Sequence, residues 1–138
     1  MDVLEKEILK YSKRGFKVQK RTLKYGSRTF LKKKGGLLGG FDGVYIYYVD
    51  GDSTTHSLRE CFKDYMRFYE VEEFGEGDKG FFLSSGSVDE KLFKGLRKDM
   101  IEDDDVRNSI KLLKVSKSLQ KEPIEEEFVF CNNVRCCN

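Results

Sequence analysis

Val44-Tyr45-Ile46-Tyr47-Tyr48-Val49 is the stretch on which the fold turns. A strand with one wet face alternates apolar and polar residues, because successive side chains point to opposite sides. This run does not alternate. Six β-branched and aromatic residues in a row read as a strand buried on both faces, inside a sheet covered by helices. Asp50-Gly51-Asp52 then turns the chain.

Reading outward toward the C-terminus, Ser57-x-x-Glu60 matches a capping box. It predicts a helix with Leu58, Cys61, Phe62, Tyr65 and Phe68 on one stripe. Gly75 to Lys79 is a polar turn, and Phe81-Phe82-Leu83 a short buried strand. Ser87-x-x-Glu90 is a second capping box, opening a helix that carries Leu92, Phe93, Leu96 and Met100. Glu102 to Asp105 reads as an acidic loop and Ile110 to Val115 as another strand.

Toward the N-terminus lies a glycine-rich loop, Gly35 to Gly40, with Leu37 and Leu38 at its tip. Arg28 to Lys34 reads as a strand with Phe30 inward, preceded by the turn Tyr25-Gly26-Ser27. Phe16 and Val18 alternate with Lys17 and Gln19, the pattern of a half-exposed strand. Before them, Leu4, Ile8 and Tyr11 fall on one face of a helix spanning Asp2 to Arg14, which Gly15 ends in a left-handed conformation. The order is α-β-β-β-α-β-α-β. It predicts an α/β (α+β) domain over residues 1–115, a mixed sheet of about five strands with helices upon it, and a C-terminal extension over 116–138.

The net charge of +2 conceals an asymmetry. Residues 1–40 hold twelve Lys and Arg against three Asp and Glu, a balance of +9; residues 41–138 hold fourteen against twenty-one, a balance of −7. Lys10, Lys13, Arg14, Lys17, Lys20, Arg21, Lys24, Arg28, Lys32, Lys33 and Lys34 follow one another with no acid between them. Such a run points to a polyanion, unless the acidic half neutralises it across the fold. The arginines suit bidentate contacts with phosphate and the lysines act as point charges. Tyr11, Phe16 and Tyr25 interleave with them and have rings able to stack on bases, although Tyr11 and Phe16 also fit a core. The first two strands are expected to gather much of this charge on one face.

No apolar run approaches the roughly 18 residues of a membrane helix. The charged, amphipathic N-terminus does not read as a signal peptide. Three of the four cysteines, Cys131, Cys136 and Cys137, crowd the last eight residues, unlike a secreted disulfide framework. The expected address is the cytoplasm or nucleus, with reduced thiols.

Other chemistry finds less support. Cys131-x4-Cys136-Cys137 lacks the two separated ligand pairs of structural zinc, and Cys61 or His56 would have to complete it. A prenylation box would need cysteine at the position of Arg135. Gly36-Leu37-Leu38-Gly39 matches the G-x-x-G that clamps a nucleic-acid backbone in KH domains, but strands flank it here rather than helices. His56 with Cys61 would make a Cys–His pair with no third group. The extension mixes Lys117 and Lys121 with Glu125, Glu126 and Glu127 before Phe128-Val129-Phe130. It suits an edge strand or an arm threading into a large partner.

Three segments together resemble the restriction-endonuclease-like fold, in particular Mrr-type nuclease domains. They are Gly15-Phe16-Lys17-Val18 after the first helix, the run Val44 to Val49 before a capped helix, and Gly80 to Ser87 followed by a helix and Ile110 to Val115. The resemblance covers roughly residues 4–115. It implies an acid on one strand and an Asp/Glu/Gln-x-Lys pair on the next, holding Mg²⁺ and steadying the attacking water. Asp42 stands where the first acid would be, but Tyr45 to Val49 offers neither acid nor lysine. The resemblance then implies an inactive relative retained for binding.

The leading reading is a non-catalytic RNA- or ribonucleoprotein-binding factor needing no cofactor, with the ribosome as the commonest large polyanion of a cell. Its expected contacts are Lys13, Arg14, Lys17, Lys20, Arg21, Lys24, Arg28, Lys32, Lys33 and Lys34. The alternatives are a divergent Mg²⁺-dependent nuclease and a protein–protein adaptor with an acidic partner.

Overall fold

The computed structural model describes residues 2–34, 41–70 and 78–113. The Gly35–Gly40 loop, most of the Gly75–Lys79 turn, the end of the last expected strand and the C-terminal extension lie outside them. The elements are α1 (Val3–Ser12), β1 (Lys17–Thr22), β2 (Ser27–Lys34), β3 (Phe41–Val49), α2 (Thr55–Glu70), β4 (Lys79–Ser84), α3 (Glu90–Met100), α4 (Asp104–Ser109) and β5 (Ile110–Leu112).

The five strands form one mixed sheet in sequence order. β1, β2 and β3 make an antiparallel meander, while β3, β4 and β5 run parallel. The α+β class expected from the sequence is the one observed. Two crossovers stepping the same way across a sheet, each right-handed, place their helices on the same face. α2 and α3 accordingly share one face, where Tyr45, Tyr47, Phe82 and Ile110 meet Leu58, Phe62, Tyr65, Phe93 and Leu96. The opposite face is left to α1, whose Leu4 and Tyr11 pack with Phe16, Leu31, Val44, Ile46 and Leu83.

β3 is the centre of both layers. Val44 and Ile46 serve the α1 side, and Tyr45, Tyr47 and Val49 the α2/α3 side. This double burial is what its unbroken apolar run requires.

Both helix starts differ from the expected caps. The reciprocal box at α2 is Thr54 with Ser57: the Ser57 amide donates to Thr54 Oγ1 at 3.1 Å and the Thr54 amide to Ser57 Oγ at 2.8 Å. α3 is capped by Asp89, whose carboxylate accepts from the amides of Lys91 and Leu92. Ser87 instead joins the loops after β3 and β4, its amide donating to Asp52 Oδ1 at 2.8 Å. The acidic segment near 102–105 is no simple loop. Asp103 caps the short helix α4, accepting from the amides of Asp105 and Val106, and Val106 and Ile101 drop into the core.

Glycine is required at two places around the hairpin. Gly15 has φ +91° where the chain leaves α1 for β1. Gly26 turns β1 into β2 directly beneath β3, where a Cβ would lie 2.3 Å from the Tyr48 carbonyl oxygen. Backbone cannot yield as a flexible side chain would. Gly26→Ala is therefore expected to destabilise the domain by about 1–3 kcal/mol, the usual range for overpacking, read as a lowered urea midpoint with an unchanged slope.

Candidate nucleic-acid interface

β1 is an edge strand exposed along all six residues, Lys17 to Thr22. Its register with β2 sets Lys17 opposite Lys32, Lys20 opposite Thr29 and Arg21 opposite Arg28. Side chains alternate across a strand, so the charge is divided rather than gathered on one face. Lys17, Arg21 and Lys32 share the α2 side with Arg28, whereas Lys20 and Lys33 share the α1 side with Leu31. The cations thus ring the edge of the sheet.

On the α1 side the basic chains lie over aromatic rings. Tyr11 and Phe16 meet edge to face at 5.4 Å. The Arg14 guanidinium sits 5.6 and 5.4 Å from their centres, and Lys33 Nζ lies 5.7 Å from Phe16. The rings are buried and the cations exposed, so the rings serve the core while directing the charges outward. Lys13 is exposed at the end of α1. Among the described residues, none of Lys13, Arg14, Lys17, Lys20, Arg21, Lys24 or Lys33 makes an ion pair with a carboxylate. Lys34 ends β2, and its side chain lies outside the described set.

Arg28 departs from the rest of the run. It is only 7% exposed. Its Nη1 donates to both oxygens of Asp64, at 2.7 and 2.6 Å, and its guanidinium lies 4.7 Å from the Phe68 ring centre. Asp64 also accepts from the Tyr47 hydroxyl at 2.7 Å and from Arg67 Nη2 at 2.7 Å. Arg28 is thus a core cation, not a surface one. Nothing in the local sequence separates it from its neighbours, because its partner lies 36 residues away.

Glu60 was not among the residues the sequence singled out for the hairpin. Its carboxylate reaches from α2 to the tip, accepting from the amides of Lys24 at 2.7 Å and Tyr25 at 2.9 Å. The hairpin is therefore clamped to the helix layer at its far end. Tyr25 lies against His56 of α2, the two rings 5.5 Å apart and 17° from parallel.

The other candidate chemistries are placed as follows. Cys61 is buried in the core, and burial pushes its thiol well above the ordinary range, with the nearby acids Asp64 and Glu60 adding to the effect. That is the reverse of an activated nucleophile. The cysteines of a zinc or lipidation site and the Gly36–Gly39 loop lie outside the described residues. Among the described residues no group of three or more His, Cys, Asp or Glu side chains is arranged to hold a metal ion. Asp78, just before β4, accepts from the Gly43 amide at 2.9 Å, beside Asp42 in the chain; the Asp42 side chain is outside the described set. No described helix is long and apolar enough to cross a membrane. A hollow of about 510 Å³ lies between α3 and β5, with Phe93, Lys94, Arg97 and Lys111 in its lining.

No protein-family model matches the chain. No curated protein matches it either. Among solved structures the chain is similar to EndoMS in its apo form, with a TM-score of 0.46 and 13% identity over 83% of this chain. The chain spans 46% of that structure's length, about half.

Two predictions follow from the buried polar groups. Asp64→Ala would leave the Arg28 guanidinium buried without its counter-charge, which costs about 3–5 kcal/mol. Arg67→Ala should cost less than about 1 kcal/mol, because that arginine side chain is 64% exposed and its pairing is screened. Equilibrium unfolding of the two variants measures the contrast.

Burial, reinforced by Glu7, raises the Tyr11 phenol from its ordinary 10.0 to about 12. Burial likewise pushes Tyr47 and Tyr65 well up. An unfolded tyrosine ionises near pH 10, so the stability these groups confer is complete below pH 10 and is lost as pH climbs through their folded values. Urea midpoints should fall steeply between pH 10 and 12, and less steeply in Tyr11→Phe.

Proposed function

We propose that this domain binds nucleic acid, as an RNA- or ribonucleoprotein-binding factor without a hydrolytic role, holding the phosphate backbone along the β1–β2 hairpin and the end of α1. One observation carries the reading. Among the described residues β1 has both faces and its outer edge in solvent, and it presents Lys17, Lys20 and Arg21 there with no carboxylate paired to them. A polyanion laid along this edge supplies counter-charge to these side chains and gains counterion release. The contact set is Lys13, Arg14, Lys17, Lys20, Arg21, Lys24, Lys32 and Lys33, with Arg28 supporting from within. A cytoplasmic ribonucleoprotein, the ribosome among them, is the partner this chemistry suits.

Binding to a mixed-sequence RNA should weaken with salt along a log–log slope of about −0.7 to −0.9 per phosphate neutralised. Lys17→Glu/Lys20→Glu/Arg21→Glu should lower affinity and flatten that slope, whereas an unchanged affinity would remove the hairpin from the interface. Sedimentation of the native protein with and without RNase, at low and high salt, tests the ribonucleoprotein assignment. An adaptor for an acidic protein would keep its partner after RNase.

A Mg²⁺-dependent nuclease is the second reading. The observation in its favour is the Asp78 carboxylate held at the Gly43 amide, next in the chain to Asp42. Metal-dependent cleavage of DNA or RNA that is lost in both Asp42→Ala and Asp78→Asn would establish it over the binding role. No cleavage by the wild type would set it aside.

A further inference from the structure

The tip of the basic hairpin holds an aromatic side chain in solvent and fixes it there. Tyr25 is 40% exposed, one of few large hydrophobic residues so placed among the described residues. It is not a loose turn residue. Its amide donates to Glu60 Oε1 at 2.9 Å, and the neighbouring Lys24 amide donates to Glu60 Oε2 at 2.7 Å. The Leu23 amide closes the turn on the Gly26 carbonyl at 2.8 Å. Gly26 is wedged under the Tyr48 carbonyl. The ring itself lies nearly parallel to His56, which is also exposed. Both partners of this stack are at the surface, outside the two core clusters.

Basic residues lie on the elements that carry the pair. Lys24 Nζ is 5.4 Å from the Tyr25 ring centre. Arg59 is exposed three residues after His56 on α2, hence on the adjoining helix surface. Arg21 lies exposed on β1, one residue before Thr22 at the end of the strand that leads into this turn. A flat, preorganised aromatic pair bordered by phosphate-binding side chains is a platform on which a base can stack as a third layer. A base inside a duplex has both its faces covered by neighbours, so only an unpaired or terminal base is free to do this.

We infer that Tyr25 and His56 form a stacking site for one unpaired base of single-stranded nucleic acid, with Lys24 and Arg59 meeting the flanking phosphates. This rests on the nucleic-acid-binding role proposed above and narrows it to single strands. The Lys24 ammonium leaves the ring for phosphate as the base arrives. Glu60 acts as the positioning residue, since it sets the backbone from which the tyrosine projects.

The test uses the full chain with short pyrimidine oligomers, in RNA and DNA form, and with duplexes of the same length. Tyr25→Ala should weaken single-strand binding about 5- to 150-fold, the usual worth of one base–aromatic stack, and leave duplex binding unchanged. Tyr25→Phe should retain single-strand affinity. Oligomers carrying 5-iodouracil should photocrosslink the wild type at Tyr25 or His56, which makes the outcome independent of how the alanine variant folds. Equal single-strand affinity of Tyr25→Ala and wild type, or crosslinks confined to other residues, would overturn the stacking site. If the Lys17/Lys20/Arg21 charge reversal still weakened binding in that case, the basic surface would stand without it. Absence of binding to single strands and duplexes alike would overturn both.

Discussion

A single buried carboxylate allows a strand of cations to lie against an apolar core. Asp64 takes Arg28 from β2, the Tyr47 hydroxyl from β3 and Arg67 from its own helix. Without it, the β2 strand would bring a full positive charge under α2, opposite Arg21 on β1. With it, that charge is neutralised inside the protein, and the remaining repulsion is confined to side chains that reach water. Replacing such a pair with apolar residues is often no loss in stability. What this one adds is placement: three elements are tied at one point, and Tyr47 is held in a defined rotation within an aromatic cluster that includes Tyr65.

A second carboxylate does similar work one helical turn earlier. Glu60 holds the far end of the hairpin as Asp64 holds its middle. The two face the same strands from the same side of α2. Both spend an acidic charge on the hairpin, one on a guanidinium and one on a pair of amides. The acidic half of the sequence thus does meet the basic half at these two points, while among the described residues no carboxylate pairs with Lys17, Lys20 or Arg21 on β1. Other carboxylates are occupied locally, Asp2, Asp89 and Asp103 as helix caps.

How far this was legible in the sequence depends on the range of the interaction. The β3 run announced its own double burial, because no other environment suits Val44 to Val49. The helix stripes of α2 and α3 followed from their period. The caps lie a few residues from where the sequence pattern puts them, since Thr54, Ser57, Ser87 and Asp89 all have oxygens suited to the role, and tertiary contacts decide among them. α4 does not stand out in the sequence because it is short and its first turn is acidic, a composition that also suits a loop. Within the basic run the ring of exposed lysines followed from composition alone. Its division between two faces needed the register with β2. Arg28 could not be separated from the others, and neither Glu60 nor His56 could be attached to the hairpin, because each of those contacts spans about thirty residues or more of chain.

Among the described residues the outer edge of β1 pairs with no other strand, and this has a bearing on the behaviour of the protein in quantity. An unpaired strand invites another strand to add to it, and edge lysines are one of the ways proteins discourage this. Two copies meeting edge to edge here would set Lys17, Lys20 and Arg21 against the same residues of the neighbour. Their mutual repulsion opposes such pairing, most strongly in dilute salt. Anything that cancels these charges, a polyanion included, also lifts that protection, and a polymer crowded with copies would bring bare strand edges together just as their repulsion fades. The ammonium and guanidinium groups that would meet a polyanion are thus the same ones that discourage strand addition at this edge.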